Sequence, residues 1–185
     1  VFGYLKKYPN KRILVDSRDP IITGGDEVKA EQLAASFREE YPDAVEEIDC
    51  NLPVPLVGEL AITTFVDSDH AHDKVTRRSI TGIIILVGRT PVVYHSKRQG
   101  AVETSTYSAE FMAMRTAVEE IVSIRYMLRC LGVHVDNATH VYGDNLGVIQ
   151  NATIKDSLLK KKHVAISYHR VRESVASSVI FPIKI

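Results

Sequence analysis

An α/β domain built on a mixed sheet is the fold class this sequence predicts, and three observations predict it. Three strand-like runs follow one another after residue 60. A long run with helical periodicity comes next, from 105 to 132. Strands and helices then alternate to the last residue, giving the order β-β-β-α-β-α-α-β. Such an order implies five strands, the first three antiparallel and the later ones parallel, with helices on the faces of the sheet.

Residues 1–8 read as the end of a helix stopped by Pro9. The stretch SRDPIITGGDE (17–27) is rich in turn residues, and Asp26 is placed to cap a helix running to about Glu40. YPDAVEEIDCNLPVPLVGE (41–59) is acidic, holds three prolines and reads as a linker, so the domain boundary falls near residue 60, dividing 1–60 from 61–185. AITTFVDS (61–68) is the first strand. SITGIIILVG (79–88) is the second, and its unbroken apolar centre predicts burial on both faces. Gly88 to Pro91 make a tight turn into VVYHS (92–96). The long helix stops at Gly132. THVYGD (139–144) is a strand, NLGVIQNA (145–152) a short helix, KKHVAISYHRVRESVAS (161–177) a further helix, and SVIFPIKI (178–185) the last strand.

Composition removes several classes of function. With 45% apolar residues the chain has enough to build a core, so disorder is excluded. No apolar run is long enough to span a bilayer. The amphipathic start VFGYLKKYPNKR is not a signal peptide, and the absence of an initiator Met makes the chain read as a piece of something longer. Cys50 and Cys130 are two distant thiols that build neither a disulfide framework nor a zinc ribbon, which fits an intracellular protein. Residues 1–60 carry 7 Lys and Arg against 12 Asp and Glu, and residues 61–185 carry 16 against 11. The basic second part fits a polyanionic partner, or simply a solvated surface.

Three carboxylates are placed to meet. Alternation puts Thr63, Phe65 and Asp67 on one face of the first strand, and Tyr142 with Asp144 on one face of the fourth. Two strands joined through a long helix form a parallel pair, so both aspartates lie at carboxyl ends of neighbouring strands. On the helix, Glu110, Ala113, Met114, Ala117, Val118 and Ile121 fall on one stripe, which turns Glu110 towards the sheet. A carboxylate there needs neutralising, and a cation would do it. Oxygen ligands without cysteine favour magnesium or manganese over zinc. Two such ions about 3.5–4 Å apart can clamp a phosphodiester during in-line displacement. His70 and His72 sit in the following loop, either as solvated residues or as an incomplete zinc pair. In the basic helix, Lys162, His169 and Arg172 fall roughly together while Val164, Tyr168 and Val171 pack inward. That face is either a phosphate contact or a solvated surface.

Six ordered blocks carry a resemblance over residues 61–183: DSDHAHD (67–73), RRSITG (77–82), YHSKRQ (94–99), TSTYSAEF (104–111), GDN (143–145) and KHVAISYHRVRE (162–173). Together they resemble the ribonuclease H domain of copia-type (Pseudoviridae) retrotransposon polyproteins. Residues 1–60 resemble the tail of the preceding reverse transcriptase. The resemblance implies a ribonuclease-H-like fold with a five-stranded mixed sheet and hydrolysis of the RNA strand of RNA–DNA hybrids. It implies Asp67, Glu110 and Asp144 as catalytic ligands of two Mg²⁺ ions, with Mn²⁺ as a substitute and His70 and His72 as bystanders. Lys97, Arg98, Asn145, Lys162, His169 and Arg172 are then the candidate contacts to nucleic acid. The implied partners are the hybrid and the rest of the polyprotein, with no membrane, in a cytoplasmic particle and the nucleus. Two family tryptophans are His70 and Tyr94 here. The family also has a fourth acid on a helix after the last strand. This chain ends at Ile185, so a domain shortened at its C-terminus is expected. The alternative is a decayed module that only binds nucleic acid or supports the polymerase.

Overall fold

A computed structural model describes residues 15–18, 27–157, 159 and 162–185. The expected helix end at 1–8, the Asp26 cap and Lys160 and Lys161 lie outside the described residues. The elements are α1 (Glu27–Phe37), β1 (Ile62–Asp69), β2 (Ile80–Val87), β3 (Thr90–Arg98), α2 (Thr106–Cys130), β4 (Thr139–Gly143), α3 (Leu146–Thr153), a 3₁₀ turn (Lys162–Val164), α4 (Ala165–Ala176) and β5 (Ile180–Lys184). They form one five-stranded sheet in the order β3-β2-β1-β4-β5. β1 pairs antiparallel with β2 and parallel with β4, β3 antiparallel with β2, and β5 parallel with β4. Pro182 sits in β5, an edge strand, where a missing N–H is tolerated. Among the described residues no helix is long and apolar enough to cross a membrane. Cys50 and Cys130 are both free and exposed.

α2 is the central helix. Ser105 caps its start by accepting the Ser108 amide at 3.2 Å. Gly132 ends it with a φ of 73°, and the amides of Gly132 and Val133 return to the carbonyls of Arg129 and Leu128. Its buried stripe of Ala113, Met114, Ala117, Val118 and Ile121 lies in one core with Val66, Ile83, Ile85 and Val141 of the sheet. The expected two-sided burial of β2 does not occur. Ile83 and Ile85 are buried, but Ile84 between them is 45% exposed. The helices cover one face of this part of the sheet, and the described residues leave Ile84 and Tyr94 open on the other.

The stretch expected to be a linker is instead fastened to the domain. α1 packs on α4, with Phe37 fully buried. Glu46 receives forked hydrogen bonds from both Arg125 and Arg129 at 2.7–2.8 Å. Burial pushes the Glu46 carboxyl up, but the two guanidinium groups outweigh it and hold it down at about 2. The amides of Leu56 and Val57 donate to the Gly132 carbonyl. A change in sequence character at residue 60 therefore does not divide the packed core.

Arg172 is the largest departure from expectation. The sequence groups it with Lys162 and His169 as a phosphate contact or a solvated face, yet it is fully buried. One terminal nitrogen donates to the carbonyls of Asn151 and Ile154 and to Ser157 Oγ, each at 2.9 Å. The other donates to the Lys155 carbonyl at 2.7 Å and to Glu40. The guanidinium also lies 4.5 Å from the Phe37 ring centre and 4.9 Å from that of Tyr168. It cannot reach a nucleic acid. Removing it strands several buried acceptors and the Glu40 carboxylate, which should destabilise by about 3–5 kcal/mol. In urea unfolding, Arg172→Met should show that loss in its midpoint, whereas Lys162→Ala at the exposed 3₁₀ turn should stay within about 0.5 kcal/mol of wild type.

Candidate metal centre and its surroundings

Three elements deliver the three carboxylates. Asp67 lies near the carboxyl end of β1, in register with Gly82 of β2 and, through it, Ser96 of β3. Asp144 follows directly on β4, whose Tyr142 is paired with Phe65 of β1, their rings stacked with centroids 5.3 Å apart. Glu110 comes from the first turns of α2 and is 8% exposed, whereas Asp67 and Asp144 are exposed. One oxygen of each carboxylate lies within 4.8 Å of the others. Among the described residues no other three His, Cys, Asp or Glu side chains converge in this way.

The electrostatics are those of a site short of positive charge. Burial pushes the Glu110 carboxyl up, and the charges of Asp67 and Asp144 push it further, to about 7. Asp67 is steadied by the Ser68 amide, which donates to its Oδ1 at 2.8 Å. A buried acid forced towards its protonated form by two others fits a hard divalent cation, because the cation removes the repulsion and satisfies the desolvated oxygens. The donor set is carboxylate oxygen alone, which suits magnesium or manganese.

The remaining candidates are scattered. His70 Nε2 is 3.0 Å from the Glu103 carbonyl and His72 is paired with Asp69, so neither histidine joins the carboxylates. Asn145 caps α3, accepting the Val148 amide at 3.2 Å. His169 is hydrogen-bonded through Nδ1 to the Tyr41 hydroxyl at 2.7 Å. Lys162 is exposed. Register puts Arg98 in the row of Ile80 and Asp69, on the Asp67 face, while Lys97 is in the row of Thr81 and Ser68, on the other. Arg98 is tied to Asp73 at 3.0 Å.

Two features escaped the sequence. His163 Nε2 lies 3.2 Å from Ser108 Oγ, 3.3 Å from Thr104 Oγ1 and 4.0 Å from the buried Glu103, joining the 3₁₀ turn to the start of α2. Nothing in the local pattern joins positions so far apart. The second is the β1–β2 loop, ordered around Asp73. Its carboxylate accepts the amides of Val75 and Thr76 at 2.9 and 3.1 Å and the Thr76 hydroxyl at 2.7 Å. Those bonds hold it well below the usual carboxylate range. Asp followed by Thr three residues on was the available signal.

Glu110 yields a pH prediction. Its carboxyl sits at about 7 in the fold against 4.5 ordinarily. In metal-free protein the folded state therefore holds a proton that the unfolded chain releases between those values. Stability from this group should fall as pH rises from about 4.5 to about 7, by up to about 3 kcal/mol, and then level off. Thermal or urea unfolding across that range in chelator should show the slope, and Glu110→Gln should flatten it.

No protein-family model matches the chain. Over 121 residues, 65% of its length, it is 30% identical to a retrovirus-related Pol polyprotein from transposon RE1 of Arabidopsis thaliana, of which the match spans 8%. It is 29% identical over the same length to the corresponding polyprotein from transposon TNT 1-94 of Nicotiana tabacum, spanning 9%. Among solved structures, ribonuclease H1 from Halobacterium salinarum superimposes with a TM-score of 0.51 at 12% identity, over 68% of this chain and 85% of that one. LC11 ribonuclease H1 in complex with an RNA/DNA hybrid gives 0.52 at 16% identity, over 67% and 84%. The fold is that of ribonuclease H, with the five-stranded mixed sheet expected from the sequence, antiparallel in its first three strands and parallel after them. The chain's homologues are Pol polyproteins of copia-type retrotransposons, and its structural neighbours are ribonuclease H domains.

Proposed function

We propose that this chain hydrolyses the RNA strand of RNA–DNA hybrids within a retrotransposon Pol polyprotein, using two magnesium ions for which manganese can substitute. One observation carries this reading: three carboxylates from β1, α2 and the end of β4 converge at the carboxyl edge of a parallel strand pair. The homologous polyproteins and a structural neighbour solved with an RNA/DNA hybrid support it. The remainder of the polyprotein, including the reverse transcriptase whose tail residues 1–60 resemble, is the proposed covalent context.

Asp67, Glu110 and Asp144 would hold the ions. Bound there, a divalent cation lowers the pKa of its water and offsets charge developing on the phosphate. The chain supplies the rest. Asp67 and Asp144, both exposed, leave the outer side of the site open to an incoming phosphodiester, while Glu110, held by α2, fixes its inner side. In the reaction a water oxygen bonds to phosphorus as the bond from phosphorus to the departing sugar oxygen breaks, and a proton passes to that oxygen.

The test uses a hybrid labelled on its RNA strand, with Mg²⁺ or Mn²⁺. Wild type should cut the RNA strand and leave the DNA strand intact. Asp67→Asn and Asp144→Asn should each slow cleavage by about a hundredfold or more, as loss of a group that stabilises the transition state does, with hybrid still bound. Equal rates in wild type and variants would overturn the assignment. Hybrid binding by wild type without cleavage would identify a module that only binds.

A further inference from the structure

Most buried or half-buried arginines outside the carboxylate cluster are engaged within the fold. Arg125, Arg129, Arg170 and Arg172 are each paired with an acid of this chain. Lys74 and Arg77 on the β1–β2 loop are exposed, and neither forms an ion pair with another described residue. Their loop is rigid. Asp73 binds the amides of Val75 and Thr76 and the Thr76 hydroxyl, the Arg77 amide returns to the Asp73 carbonyl at 2.7 Å, and the Asp73 amide to the Arg78 carbonyl at 3.2 Å. Arg77 has a φ of 57°, a conformation glycine takes more easily. An exposed arginine held there, with Val75 beside it 91% exposed, is not explained by packing.

The loop is anchored beside the active face. Asp73 holds Arg98, which shares a face with Asp67 and stands two strands away, roughly 10 Å across the sheet. We infer that Lys74 and Arg77 form a cationic rail that grips the sugar–phosphate backbone of the uncleaved DNA strand while the carboxylates engage the RNA strand, with Arg98 anchoring their loop through Asp73. Asp73 is a positioning residue that sets the rail. Asp69 and Asp73 are the acids beside it, and they are engaged by His72 and by Arg98 respectively. A duplex of A-like shape presents both backbones across a wide, shallow minor groove, so an active site on one strand leaves the other within reach of a neighbouring surface. This inference rests on the proposed action on hybrids.

The experiment is hybrid binding in EDTA, so that no strand is cut, over a range of salt. The variant is Lys74→Gln with Arg77→Gly, since glycine accepts the positive φ and the fold is not put at risk. Arg38→Gln, in the exposed turn just after α1, is the control. The double variant should bind roughly tenfold more weakly at low salt, with the salt slope reduced by about 2, while the control matches wild type. With a DNA strand made neutral by methylphosphonate linkages, wild type and double variant should bind alike. Unchanged affinity and slope in the double variant, with wild type binding hybrid normally, would overturn the rail and leave the proposed function standing. A difference that vanishes only when the RNA strand is neutral would assign the loop to the cleaved strand and also overturn it. Wild type with no salt-dependent hybrid binding would remove the functional reading itself, and the rail with it.

Discussion

Parallel pairing of β1 with β4 is the constraint on which the site rests. It brings Phe65 level with Tyr142, so the two chains run out side by side at Asp67 and Asp144. Two carboxylates at adjacent strand ends would repel weakly in water. Packing of α2 against β1 and β2 adds Glu110, which must give up most of its hydration. Apolar burial along Ala113, Met114, Ala117 and Val118 fixes the helix, and the helix fixes the acid. The hydrophobic core thus holds a local arrangement that electrostatics alone opposes, and a divalent cation bound there would resolve the opposition.

Two buried arginines extend the unit beyond the sheet. Arg172 gathers the carbonyls after α3, the Glu40 carboxylate and the rings of Phe37 and Tyr168 around one guanidinium. Arg125, with Arg129, holds Glu46 against the far end of α2. Both pairs join residues before 60 to residues after 120. A planar guanidinium spreads five donors over a fixed fork and can satisfy all these acceptors at once, where a lysine ammonium has only three donors on one nitrogen. The segment from 27 to 59 therefore belongs to the folded body, although its prolines and acids give it the composition of a linker.

The sheet was legible because its signals are local. Alternation in β1, the helical stripe of α2 and the Gly132 stop each depend on a few neighbouring residues, and the structure keeps all three. The three acids were legible because strand ends and helix faces follow from the same periodicities. What was not legible depends on partners distant in sequence. Arg172 reads as basic surface until Glu40, 132 residues away, and the carbonyls after α3 close around it. The apolar run of β2 could not reveal which face α2 would cover. For Asn145 and His169 the structure adds partners that the local pattern does not show, a cap on α3 for one and the Tyr41 hydroxyl for the other.

The central claim is that Asp67, Glu110 and Asp144 form a divalent cation site. Paramagnetic broadening by Mn²⁺ tests it most directly. Substoichiometric Mn²⁺ added to isotope-labelled protein near pH 6.5 should broaden amide resonances around these three residues first, and binding should release a proton as Glu110 gives up the one it holds near 7. Broadening centred elsewhere, for example on His70, His72 and Asp69, would contradict the account. So would Mn²⁺ binding that survives unchanged in Glu110→Gln with no proton released.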